Sequence, residues 1–254
     1  MTKRFLKRFI NYQLMGFICF LLIWQVLHLL LNTHTIPSPL DTFVYFVRVP
    51  LVLLKHSGAS ILRVVAAVGI SLILGVPAGL LLGVNSTIKR LFSPLLYFIY
   101  PIPKVAFLPV FMLLFGLGNP SKILMILFII VFQIMLSVRD GVAQISPIYF
   151  QVMDSFCGSA WQRYRYLIVP AILPSLFSGL RISIGISLAS LFFAENYATQ
   201  FGIGYFILSA WTKMDYVEMF SGILALGFIG ILLFNLLDRA ESVCVPWLKR
   251  STGK

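Results

Sequence analysis

Residues Gln151–Pro174, QVMDSFCGSAWQRYRYLIVPAILP, form the longest polar-bearing interval between strongly apolar segments, and their placement decides how the chain is organised. On an ideal helix Phe156, Cys157, Ala160, Trp161, Tyr164, Leu167 and Ile168 fall on one arc, while Asp154, Ser159, Gln162, Arg163 and Arg165 fall on the other. Pro170 and Pro174 are expected to close the interval. Such an amphipathic segment is either a connector lying at a lipid interface or a docking helix for a soluble partner. The flanking sequence separates the two.

Those flanks are poor in charge. Of 254 residues, 59% are hydrophobic and 11% are charged, against roughly 25% charged in a soluble domain. With apolar runs near the spanning length, this predicts an all-α polytopic membrane protein. The formal net charge of +12 does not indicate a nucleic-acid partner, because the basic residues are scattered in loops, as an orientation bias requires. Cys19, Cys157 and Cys244 are odd in number and irregularly spaced, which predicts neither a disulfide framework nor a metal site. The start MTKRF resembles a signal peptide, but its long apolar run lacks a small-residue cleavage site and reads as a retained span.

Six spans are expected: about Leu14–Leu31, Ile61–Val84, a broken segment Leu91–Leu117, Ile123–Val138, Leu176–Ala194 and Val217–Leu237. Between the first two, Pro37–Asp41 reads as a turn and Thr42–Leu54 as a short interfacial helix. Gly75, Gly79 and Gly83 lie four apart on one face and predict close helix contact. Pro94, Pro101, Pro103 and Pro109 break the third span. Broken backbone at membrane depth is tolerated where it is buried or lines a wet cavity, so Pro103, Lys104 and Pro109 are candidates for a solute path; the alternative for Lys104 is a snorkelling side chain. Residues 196–216 read as an outer re-entrant or interfacial segment.

Basic residues orient this scheme. Lys3, Arg4, Lys7, Arg8, Lys89, Arg90, Arg139, Arg163, Arg165, Arg239, Lys249, Arg250 and Lys254 fall on one side, against Arg48, Lys55, Arg63, Lys122 and Lys213 on the other. The positive-inside rule then puts both termini, and Gln151–Pro174, in the cytoplasm. No internal repeat marks an inverted-repeat carrier. The division expected is residues 1–56 as tail, first span and outer loop, 57–248 as the transmembrane unit, and 249–254 as a basic tail.

Catalytic chemistry finds little footing. His28, His34 and His56 have no spaced carboxylate or cysteine partners and read as interfacial. No phosphate loop or nucleophile elbow is present, so an enzyme is not expected, no cofactor is bound, and energy from ATP must come from another polypeptide. Arg181, inside the fifth span, and Glu195, closing it, are fourteen residues apart, about 21 Å along a helix axis. They read either as the two ends of a solute path or as boundary charges holding neighbouring helices.

Several motifs, in order, carry a resemblance. Ser155-Phe156-Cys157-Gly158-Ser159-Ala160-Trp161-Gln162, the run Pro170–Gly185, Ala194-Glu195 with Gly202-Ile203-Gly204-Tyr205, and Pro101-x-Pro103 through Phe115-Gly116-Leu117-Gly118 resemble the permease subunits of bacterial ATP-driven importers, in their nitrate, sulfonate, taurine and bicarbonate branch. The likeness covers about Leu54–Leu248. Pro170 aligns Gln151 with the glutamate, Val152 and Met153 with the alanines, and Cys157 with the glycine of that class's EAA loop, so its most diagnostic letters are substituted here. The resemblance implies a type I ABC importer permease fold with a cytoplasmic coupling helix around Phe156–Tyr164, drawing on Gln151, Asp154, Ser155, Cys157 through Gln162, Arg165 and Pro170. It also implies a cytoplasmic ABC ATPase dimer, a second permease subunit (a homodimer by default), an extracytoplasmic solute-binding protein and a bacterial or archaeal cell membrane. Arg181, Glu195, Gly202 and Gly204 join Pro103, Lys104 and Pro109 as candidates for the solute path or its gates. The solutes of the branch are small anions, with thiamine-precursor pyrimidines among relatives. The alternative is a self-contained secondary transporter or channel.

Overall fold

The structure is a computed structural model and describes residues 3–31 and 35–247, with side chains from residue 15 onward. The terminal basic residues (Lys3, Arg4, Lys7 and Arg8; Lys249, Arg250 and Lys254) and His34 lie outside the described side chains. Eleven helices appear among the described residues, with no strand: α1 Lys3–Leu31, α2 Pro39–Arg48, α3 Pro50–Val84, α4 Ser86–Ile99, α5 Leu108–Phe115, α6 Asn119–Ala143, α7 Pro147–Ser155, α8 Ala160–Arg163, α9 Val169–Glu195, α10 Ile203–Thr212 and α11 Tyr216–Cys244.

Four helices are long and apolar enough to cross a bilayer: α3, α6, α11 and the continuous rod Ala160–Glu195. The α4–α5 pair is apolar enough to count as a fifth crossing when taken as one broken span, and is bent by 83° at its break. Proline density explains the bend. Pro101 and Pro103 remove donors at the turn, and a 3₁₀ turn Lys104–Phe107 restarts the helix. α1, where the first span is expected, is a helix of 29 residues, and its described side chains, Met15–Leu31, are largely apolar.

The centre of the bundle is α6, packed between α3 and α9. Its inward stripe Ile126, Ile130, Ile134, Val138 and Val142 is buried, at a helical spacing of four. The stripe of α3 that meets it has no side chains: a Cβ on Gly79 would lie 2.7 Å from Val138 Cβ, and one on Gly83 2.7 Å from Val142 Cβ. The glycine face therefore lets the two backbones touch. Outward-facing residues such as Leu62, Ile73, Leu113 and Ile231 are apolar and exposed, as a lipid-facing surface requires.

Three boundaries differ from expectation. The interfacial helix stops at Arg48, because Pro50 disfavours helical backbone at Val49 and begins α3 anew. Span two therefore begins at Pro50 and not near Ile61. The fifth span extends back to Ala160, since Pro170 and Pro174 do not end it. A π turn over Tyr164–Ile168, with the Val169 N–H donating to Tyr164 O, loosens the helix where the ring of Pro170 would meet the carbonyl of Tyr166.

Candidate functional site

At one end of the bundle, residues 147–165 form a helix–turn–helix and not the single amphipathic helix expected around Phe156–Tyr164. After α7, Cys157 adopts a left-handed backbone (φ 50°), and the N–H groups of Cys157 and Gly158 donate to Asp154 O at 3.0 Å and Met153 O at 3.1 Å. Ser159 starts a new helix through a capping box: its hydroxyl accepts the Gln162 N–H at 3.3 Å, and Gln162 Oε1 accepts the Ser159 N–H at 2.8 Å. An Arg163–Asp154 ion pair closes the turn across its base. The capping pattern S-x-x-Q was readable in the sequence, and it marks a helix start where one unbroken helix was expected. Phe156 (80% exposed) and Trp161 (70% exposed) project from the turn with nothing packed over them. Two large apolar side chains held out by a rigid turn offer a ready contact for a groove on another protein. Gln151 and Ser155 sit on the exposed part of α7, Ala160 and Arg165 are also exposed, and Pro170 is half-buried in the rod above.

The other end holds a buried polar cluster. Glu195, fully buried at the end of α9, accepts from the Arg63 guanidinium of α3, from Ser60 Oγ at 2.8 and 2.9 Å, and from the Gly204 N–H at 2.8 Å. Arg63 Nε donates to Asn119 Oδ1 at 2.9 Å, at the start of α6. From the same turn of α6, buried Lys122 donates to Leu117 O at 2.7 Å and to Gly118 O and Ala198 O at 3.3 Å. The cluster thus joins α3, α6 and α9 to α10 and both adjoining loops. Gly202 has φ 149°, and a Cβ there would overlap the Glu195 carboxylate; a Cβ on Gly204 would lie 2.8 Å from Glu195 Cβ. His56, expected at an interface, is buried, and its Nδ1 lies 3.0 Å from Gly202 O and 3.1 Å from Gly202 N, donating to the one or accepting from the other according to its tautomer. Arg63, counted with the outer loops, lies inside α3. Ser60, Arg63, Asn119 and Lys122 were missed as a site because their partners are up to 135 residues away in sequence.

The remaining candidates are spread along the bundle. Arg181 and Glu195 are not paired: Arg181 Nη2 donates to Asp238 Oδ1 at 2.6 Å and Glu241 Oε2 at 2.9 Å, both on α11. Lys104 sits at the α4–α5 break, its Nζ donating to Tyr100 O at 2.9 Å beside the rings of Tyr100 and Phe132. Pro103 precedes it, and Pro109 follows in the first turn of α5. No group of three or more His, Cys, Asp or Glu side chains fit to hold a metal ion occurs among the described residues.

A bundle of long apolar helices, with a buried polar cluster at one end and an exposed turn at the other, is the architecture of a multi-pass membrane protein. Residues 71–250 match the family described as "Binding-protein-dependent transport system inner membrane component", and the chain belongs to that family. It is 29% identical to the taurine transport system permease protein of Escherichia coli over 76% of this chain and 70% of that one. It is 30% identical to the bicarbonate transport system permease protein of Synechococcus elongatus, over 93% and 87%. To the formylaminopyrimidine transport permease protein of Halalkalibacterium halodurans it is 27% identical, over 92% and 94%. The protein is a permease subunit of an ATP-binding-cassette importer, and such a subunit works within a binding-protein-dependent system.

Proposed function

We propose that this permease carries a small solute bearing an oxyanion group, and that its turn around Phe156 and Trp161 is the contact through which a cytoplasmic ATPase drives it. The observation that carries the second half is the exposure of those two side chains on a turn braced by the Ser159–Gln162 capping box and the Arg163–Asp154 pair. A flexible loop would dissipate a push from a partner, whereas this turn runs without interruption into a membrane-crossing rod. Gln151, Asp154, Ser155 and Cys157 through Gln162, with Arg165 and Pro170, form the docking element. The turn, and with it both termini, lies in the cytoplasm, in agreement with the distribution of basic residues. ATPase closure then moves the rod, and a solute-binding protein delivers cargo at the α10 end.

A homodimer completes the pathway, because α4 has no buried residue in the single subunit and its apolar face needs a cover. Within each subunit the path follows the broken segment at Pro103, Lys104 and Pro109. Arg181 stands toward the docking end, and Glu195, Gly202 and Gly204 toward the other. The transmembrane unit, expected over residues 57–248, takes in the whole of α3 from Pro50. The oxyanion reading draws on the taurine, bicarbonate and nitrate transport relatives. A formylaminopyrimidine cargo is the second reading, favoured by a relative aligned over nearly the whole of both chains.

The test is uptake by proteoliposomes holding the permease with its ATPase and solute-binding protein. ATP-dependent accumulation of taurine, nitrate, bicarbonate or an alkanesulfonate supports the anion reading. Accumulation of formylaminopyrimidine alone refutes it. Normal ATP-driven uptake by a Trp161→Asp variant would refute the docking role.

A further inference from the structure

The cations in or bordering the spans are satisfied in different ways; several, Lys55 and Arg165 among them, share with Lys104 the lack of a carboxylate partner among the described residues, and of these Lys104 sits at the α4–α5 break. Arg63 is paired with Glu195, Arg139 with Asp140 and Arg181 with Asp238 and Glu241. Lys122 is saturated by three backbone carbonyls. Lys104 has no carboxylate within ion-pair distance among the described residues, and one of its three N–H donors is used, by Tyr100 O. A cation within a span is costly to insert and is normally retained facing water, protein or cargo.

Its position is equally specific. On the docking side of Lys104 a cavity of about 450 Å³ is lined by Ser93, Tyr97, Tyr100, Leu136 and Arg139. On the α10 side a second, of about 310 Å³, is lined by Val105, Pro109, Met112, Phe193 and Tyr197. Lys104 lies between them at the one non-helical break of the crossing, and Tyr100, whose carbonyl holds its ammonium, lines the first cavity. The second cavity has no charged lining residue, and the arginine of the first is engaged by Asp140. The rings of Tyr100 and Phe132 lie 5.2 and 5.4 Å from Nζ and interact with the ammonium without neutralising it.

We infer that Lys104 is the anion-contacting residue of the pathway, its ammonium meeting the oxyanion group of the solute as it passes between the two flanking cavities. The inference rests on the proposal that the cargo carries an oxyanion. A single ammonium suits transit better than a tight site. Its two open N–H donors give a charge-assisted contact.

The experiment measures uptake of taurine, nitrate, bicarbonate, an alkanesulfonate and formylaminopyrimidine by the reconstituted transporter, with Lys104 unchanged or as Lys104→Gln or Lys104→Arg. Gln can still donate toward Tyr100 O, so it tests charge separately from the local staple. Anion uptake should fall at least tenfold in Lys104→Gln and stay within about threefold in Lys104→Arg. A Lys104→Cys variant, in a background with Cys19 and Cys244 changed to Ser and Cys157 kept, gives a second readout, each reagent's effect being taken relative to the same background with Lys104 unchanged. Modification with an aminoethyl methanethiosulfonate, which restores a cation, should restore anion uptake, and the sulfonatoethyl reagent should not. Wild-type anion uptake with Lys104→Gln equally active, or equal effects of the two reagents, would overturn the role of Lys104 alone. A wild-type transporter that moves only the pyrimidine overturns the oxyanion proposal itself.

Discussion

Removing one member of the Glu195–Arg63 pair should be among the most destabilising single changes available to this protein. In Glu195→Gln the side chain keeps its size, but its amide nitrogen must face the donors of Ser60, Gly204 or Arg63. Arg63 retains Asn119 and loses its counter-charge, while Lys122 stays buried in the first turn of the same α6. Breaking a buried pair on one side costs about 3–5 kcal/mol. At about 2–4 °C per kcal/mol for a chain of this size, the melting temperature should drop by roughly 6–20 °C. Intrinsic tryptophan fluorescence in detergent suits the measurement, because Trp24 is buried against Phe220; thiol dyes do not, since all three cysteines are exposed in the folded chain. Arg63→Met should cost less than Glu195→Gln, because the carboxylate keeps Ser60 and the Gly204 N–H as donors. The double variant should be more stable than the sum of the two losses predicts, by at least about 2 kcal/mol of coupling. Additivity within about 0.5 kcal/mol would refute the pair as the organising contact of the cluster.

Other expectations follow from single positions. Gly202→Ala should reduce melting temperature and surface expression together, since its Cβ overlaps the Glu195 carboxylate at a φ that other residues avoid. Gly79→Leu should cost about 1–3 kcal/mol or more by forcing α3 off α6, read as a lower melting temperature with intact synthesis. Cys157→Gly should stabilise the turn by about 1 kcal/mol, because it removes the left-handed backbone penalty; thermal unfolding of the purified permease measures it. Phe156→Asp should leave the melting temperature within about 2 °C, the side chain being exposed, and lower ATP-driven uptake at least tenfold.

The sequence disclosed the helical class, the broken third crossing and the glycine seam of α3, because each is a local pattern: apolar run length, proline density and a spacing of four. It misplaced the start of α3, since Lys55, His56, Ser57 and Ser60 dilute the apolar run; His56 and Ser60 in fact face the buried cluster. That cluster depends on pairings 132 and 146 residues apart, which no local periodicity reports. The docking turn was found by its polarity but drawn as one helix, because the arc of apolar residues outweighed the Ser159–Gln162 capping pattern. The alignment of Cys157 with the glycine of the EAA loop gains physical sense from its φ of 50°, the conformation glycine adopts most cheaply.

The π turn at Tyr164–Ile168 has a consequence for register. A π bulge amounts to one extra residue absorbed within a helix, and each residue of an α-helix turns the chain by about 100°. The direction in which Trp161 points is therefore phase-locked to Glu195 at the far end of a 36-residue rod. Deleting one residue within Tyr164–Ile168 should relax that turn to ordinary α-helix and leave the two ends in phase. Deleting one residue between Ile182 and Leu188 should instead rotate the docking turn by a quarter revolution or more. The bulge is thus the one place along the rod where chain length and angular phase are independent.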